Sequence, residues 1–138
     1  MAEDQNAHRE LDSLHLDLPP ADVVEVPPTL VAAYREALSS SALPGEDEDF
    51  EDGAVERAAQ FVARASLQRS AGEPAILLDM GHGDGADRRM WLAIVNDDMP
   101  FLVDSTSQIA DAHGLIIRRL LHPVVRAVRS IDGRLEAL

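Results

Sequence analysis

In this 138-residue chain the spacing closest to a phosphate-cradling loop is Gly81-His82-Gly83-Asp84-Gly85, because glycines free backbone N–H groups to converge on an anion. The spacing is G-x-G-x-G, and the strand-like run RRMWLAIVN follows it. A dinucleotide fingerprint needs G-x-G-x-x-G opening directly into a helix. Asp84 and Asp87 would also repel phosphate, so a surface turn is the expectation. Three histidines, His82, His113 and His122, stand near Asp79, Asp84 and Asp111 without an i, i+4 pair or other metal-ligand spacing. His122, between Leu121 and Pro123, is expected to hydrogen-bond backbone at a strand bend. Ser105, Ser107 and Ser130 lie outside any G-x-S-x-G elbow. All twelve basic residues are Arg, and the absence of lysine removes amine chemistry from this chain. No catalytic, cofactor-binding or metal-ligating constellation emerges.

Composition narrows the classes of function. A formal charge of -13 argues against nucleic acid and anionic membrane surfaces as partners. There is no cysteine, so disulfide scaffolds and thiolate sites are excluded. The acidic start MAEDQNAHRELD is unlike a signal peptide, and no apolar run approaches the roughly 20 residues of a spanning helix, so a cytoplasmic location is expected. With 4% aromatic residues, the core must be built from Leu, Ile, Val and Ala.

Along the chain, residues 1–26 read as a flexible lead-in ending near Pro27-Pro28. Residues 27–72 read as a helical segment around an acidic loop at 45–53. In its first helix Leu30, Ala33, Tyr34, Ala37 and Leu38 recur at helical spacing after a first-turn proline. The second places Val55, Ala58, Ala59, Val62 and Ala65 or Ser66 on one stripe and ends near Gly72. Between them Glu46–Asp52 carries six acids in seven residues, a solvated, self-repelling loop.

Residues 73–138 change texture to short β-rich runs bounded by glycine. PAILLDM and RRMWLAIVN read as strands. DDMPFLVDSTSQIADAH reads as a helix capped by Asp97 or Asp98 and closed by Gly114, with Leu102, Thr106, Ile109, Ala110 and His113 facing a sheet. LIIRRLLHPVVRAVRS follows as a long strand, bent or bulged at His122-Pro123 because proline cannot donate to a ladder. Ile131-Asp132-Gly133 is a hairpin turn and RLEAL a returning strand. The result is an α+β chain with a β-α-β core. Residues 1–73 hold sixteen acids and five Arg, whereas residues 115–138 hold two acids and five Arg. Docking of the acidic helical part against the basic strand is the simplest consequence, and an acidic partner surface is the other.

VNDDMPFLVDS followed by HGLIIRRLLHPVVRAVRSIDGRL resembles the N-terminal region of the large bacterial NAD-specific glutamate dehydrogenases. Residues 96–105, 113–114, 122–129 and 132–135 fit that family's N-D-D-M-P-F-L-V-D-S, H-P-V-x-x-x-x-R and D-G-R/K-L pattern, and a weaker likeness covers residues 26–138. The resemblance implies an ACT-like (ferredoxin-like) domain ahead of a catalytic region, here truncated because the chain stops at the third strand of β-α-β-β-α-β. It implies a parent that oxidatively deaminates L-glutamate to 2-oxoglutarate with NAD. The chain has neither the lysine nor the nucleotide loop of that chemistry, so it implies a non-catalytic regulatory or assembly module with no cofactor of its own.

The implied partners are the rest of the dehydrogenase chain, further copies in a homo-oligomer, and an amino-acid effector. The candidate effector or interface turn is Asn96, Asp97, Asp98, Met99, Pro100, Phe101 and Asp104, and the candidate interface strand contributes His122, Arg126 and Arg129. Amino-acid-binding ACT turns resemble D-x-P-G, whereas here Asp98-Met99-Pro100 is followed by Phe101. A phenylalanine there is expected to fill the space of a ligand's main chain, which favours packing or self-association. The alternative is a stand-alone acidic interaction domain using Glu46–Asp52.

Overall fold

The computed structural model describes residues 24–41, 53–80 and 89–138. The lead-in up to residue 23, the acidic stretch Glu46–Asp52 and the loop holding His82 and Asp84 lie outside the described residues. The fold is α+β, with three helices and two small antiparallel sheets among the described residues. The elements are α1 (Pro28–Ser41), α2 (Ala54–Ser66), β1 (Ala75–Asp79), β2 (Trp91–Val95), α3 (Leu102–Ala112), β3 (Val128–Arg129) and β4 (Leu135–Ala137).

α1 starts where expected. Pro28 needs no N–H partner, and the Pro27 carbonyl accepts from Leu30 at 3.0 Å and Val31 at 3.3 Å. Its buried stripe is Leu30, Val31, Tyr34 and Leu38, so Val31 joins the predicted face while Ala33 and Ala37 flank it. α2 departs further from the one-stripe reading, because it is covered on two sides. Ala59, Ala63 and Ser66 are buried, with Ala59 and Ala63 in the cluster shared with α1. Phe61 meets Trp91 of β2 edge-to-face, with ring centroids 5.6 Å apart. The helix stops at Ser66, six residues before Gly72, where the Ser66 hydroxyl donates to the Ala63 carbonyl at 2.8 Å.

β1 and β2 pair antiparallel from Ala75↔Val95 to Asp79↔Trp91. Strand alternation gives this ribbon two faces. The Leu77↔Ala93 side is the more buried and packs towards α2. The other side carries Ile76, Leu78 and Leu92, exposed by 63%, 50% and 49%. β3 and β4 form the predicted hairpin, closed by a Ser130–Gly133 turn in which the Gly133 N–H donates to the Ser130 carbonyl at 3.0 Å.

Two expectations fail. The run 115–127 is not a strand: it lies outside both ladders, and the ladder irregularity falls at Val128/Arg129 instead of His122-Pro123. Leu121, Pro123 and Val125 are half-buried and alternate with exposed His122, Val124 and Arg126, so the backbone is strand-like. Leu121 and Val125 pack on the helical core, and Pro123 has no N–H for a ladder. Consequently β2, α3 and β3 do not share a sheet, and the β-α-β unit is open.

α3 makes no extensive packing with either sheet among the described residues, and none of its residues is buried. Leu102, Thr106 and Ala110 of its predicted sheet-facing stripe are half-buried, whereas Ile109 and His113 are exposed. Its C-terminus does follow the sequence. Gly114 has φ 69, and the Leu115 and Gly114 N–H groups return to Ala110 and Asp111 carbonyls at 2.9 Å each, a Schellman closure.

The core joins parts that the sequence divides at residue 72. Leu30, Val31, Tyr34, Leu38, Ala59, Ala63 and Leu135 form one cluster, with Leu121, Val125 and Leu138 packed around it. No helix among the described residues is long and apolar enough to cross a membrane.

Candidate functional site

The short segment after α2 organises the polar contacts. The Leu67 carbonyl accepts from the Leu135 N–H at 2.9 Å, and the Arg69 N–H donates to the Gly133 carbonyl at 3.0 Å. Gln68 faces Arg134 in an isolated antiparallel bridge, and its amide donates to the Asp132 carbonyl at 2.5 Å. The β3–β4 hairpin is thereby fixed by backbone to the C-terminal end of α2. Arg129 adds a side-chain clasp, donating from Nη1 to the Ser66 carbonyl at 2.8 Å and the Gly133 carbonyl at 3.1 Å. Burial pushes its guanidinium below the ordinary arginine value, but an arginine so placed stays charged. Desolvation by burial raises the Tyr34 phenol, and the nearby Ser66 side chain and Arg129 charge act against that rise.

From the same segment Arg69 reaches the turn ahead of α3. Its two terminal nitrogens each lie 2.9 Å from one Asp97 carboxylate oxygen, a two-pronged pairing. Nη2 also donates to Asn96 Oδ1 at 3.4 Å, and Nε to the Glu73 carbonyl at 2.7 Å. The Asn96 amide donates to Met99 Sδ at 3.3 Å.

Asp97 therefore does not cap α3, and neither does Asp98. Phe101 occupies the cap position with φ 67 and ψ 5 and no side-chain cap bond. The helix begins only at Leu102, so Asp97 lies four residues ahead of the cap position, and its carboxylate pairs with Arg69. A left-handed phenylalanine costs roughly 1–2 kcal/mol. Its ring is 74% exposed, so it does not fill a ligand's place in the turn as the sequence led us to expect.

The structure thus joins Asn96 and Asp97 of the predicted turn to Arg69, and brings Arg129 of the predicted strand to the same end of α2. Asp98, Met99, Pro100 and Asp104 are exposed, as are His122 and Arg126. Arg129 serves the hairpin junction more than a surface. The sequence reading missed Arg69 and Gln68, which follow the helical stripe without a periodic signal of their own. Among the described residues, no three His, Cys, Asp or Glu side chains gather to hold a metal.

The Arg69 hydrogen bond, then its charge, holds the Asp97 carboxyl below the usual carboxylate range. A depressed carboxyl contributes stability that is present above its unfolded value and lost as pH falls through its folded one. We therefore expect an NMR titration of Asp97 to show a midpoint below that of an unpaired aspartate, restored to the usual range in Arg69→Gln. An identical midpoint in both proteins would contradict this pairing.

The arrangement can hold segments together; it presents no nucleophile, no general base aimed at a cavity, and no phosphate cradle among the described residues. A family model for the glutamate dehydrogenase ACT1 domain matches residues 30–138. No curated protein sequence and no solved structure gives a match.

Proposed function

The chain belongs to the glutamate dehydrogenase ACT1 domain family, and from that premise we propose that it is a non-catalytic assembly module of an NAD-dependent glutamate dehydrogenase. The observation that carries this reading is the bare outer face of the β1–β2 ribbon, where Ile76, Leu78 and Leu92 are exposed beside Met80 and Met90. Contiguous exposed apolar surface of this kind marks interfaces. α3, with no buried residue, also exposes Ile109.

The parent oxidises L-glutamate to 2-oxoglutarate in the cytoplasm, and the residues here do not fit NAD, since no G-x-G-x-x-G opens a helix. The partners of these surfaces are the rest of the dehydrogenase chain and further copies of this domain. A regulatory role needs an amino acid to bind at the 96–104 turn, where Arg69 already takes the Asp97 carboxylate. Calorimetric titration with Asp, Arg or Glu is expected to give flat traces, and saturable heat would favour an effector site.

The assembly reading has its own test. Sedimentation of the chain is expected to show self-association that grows with concentration. A monomer with a sharp thermal transition would overturn it.

A further inference from the structure

We propose that Met80 and Met90 form a peroxide-sensitive oxidation site, and that sulfoxide formation there releases copies of this chain assembled through the outer face of the β1–β2 ribbon. Such control rests on the assembly reading above. Antiparallel pairing sets Ile76 opposite Ile94 and Leu78 opposite Leu92 on that face. Continued by one position, the register sets Met80 opposite Met90, and strand alternation turns both to the same side as the aliphatic pairs. Exposure agrees with this geometry. Met80 is 56% and Met90 43% exposed, close to Leu78 and Leu92. The opposite side at this end carries Trp91 against Phe61, so the methionines can change chemically without touching that contact.

The sulfur chemistry of the chain concentrates at this rung. The sequence has no cysteine, whose thiolate would otherwise compete for oxidant, and four methionines, of which two form the pair. Met99 is 49% exposed as well, but it lies in the turn ahead of α3, where its Sδ accepts from the Asn96 amide. A hydroperoxide is the oxidant. The thioether lone pair attacks one peroxide oxygen and the O–O bond breaks. The proton on the transferred oxygen passes to the departing one, so hydrogen peroxide leaves as water. Sulfur gives up two electrons and the peroxide takes them. Sulfoxide replaces a flexible apolar side chain by a polar acceptor. Covered by another copy's apolar face, that acceptor has no donor among Ile76, Leu78 and Leu92, and each acceptor buried unpaired weakens association by about tenfold.

The test is sedimentation of the whole chain before and after hydrogen peroxide, with the oxidised positions mapped by mass spectrometry. Oxidised wild type is expected to keep its circular dichroism and to associate about tenfold more weakly or less still. Methionine sulfoxide reductases for both epimers should restore the association. Met80→Leu/Met90→Leu should associate as untreated wild type does and ignore peroxide, whereas Met99→Leu should stay sensitive. In concentrated, associated chain Met80 and Met90 should oxidise more slowly than in dilute chain, with Met99 unchanged. The proposal is overturned if oxidised wild type associates as strongly as untreated wild type, or if Met80→Leu/Met90→Leu is as sensitive as wild type. It is also overturned if concentration protects Met99 equally, or if oxidation abolishes the circular dichroism, which would mean unfolding. Untreated wild type that stays monomeric at every concentration would sink the assembly reading and this control with it, whereas the other failures leave that reading standing.

Discussion

Gly133→Ala is expected to destabilise the chain by about 3 kcal/mol or more, lowering its melting temperature by roughly 10 °C. Gly133 sits at φ +87 at the end of the β3–β4 turn, where an added Cβ would lie 2.2 Å from the Arg69 carbonyl oxygen and 2.9 Å from its carbon. Both atoms are backbone, so no rotamer change relieves the overlap. Moving the turn away would strain the Arg69 N–H bond to the Gly133 carbonyl and the Arg129 bond to the same oxygen. Gly72→Ala supplies the comparison, because Gly72 also has positive φ but nothing lies within 4 Å of its added Cβ. That variant should lose only about 1 kcal/mol through strain. Equal melting temperatures for the two variants would show that the hairpin does not rest on the end of α2.

Leu38→Ala is the second large effect, at roughly 2–5 kcal/mol. Leu38 is buried in the cluster that joins α1 and α2 to Leu135 of β4. A cavity there is expected to loosen the distant hairpin as well as the helices. Hydrogen exchange should therefore quicken at the Leu135 amide, which is bonded to the Leu67 carbonyl, together with amides of α1. Faster exchange confined to α1 would mean that the helices and the hairpin are separate units.

Much of the fold was legible where local chemistry decides the outcome. The proline at the start of α1, the left-handed glycine after α3, and the Asp132-Gly133 turn are set by φ preferences within a few residues, and each stands where the sequence placed it. Tertiary contacts were harder to read. The burial of Phe61 follows from Trp91, thirty positions away, which no helical period encodes. Residues 115–127 have strand composition, but pairing depends on which neighbour is near, and Leu121 and Val125 turn to the helices. At the candidate site, Asp97 looked like a helix cap because aspartate before a proline-led helix commonly caps it. Arg69, out of sight of that local pattern, takes the carboxylate instead. The junction that ties Asn96 and Asp97 to the end of α2 through Arg69 became visible only in three dimensions.

The apolar outer face of the β1–β2 ribbon is the centre of the functional account, and one comparison tests it. Sedimentation of the wild-type chain and of Leu78→Glu/Leu92→Glu, whose substituted residues are half-exposed and opposite each other in the ladder, isolates that face. The double variant is expected to keep the wild-type circular dichroism and to lose the wild type's concentration-dependent association. An unchanged sedimentation profile in a folded double variant would contradict it.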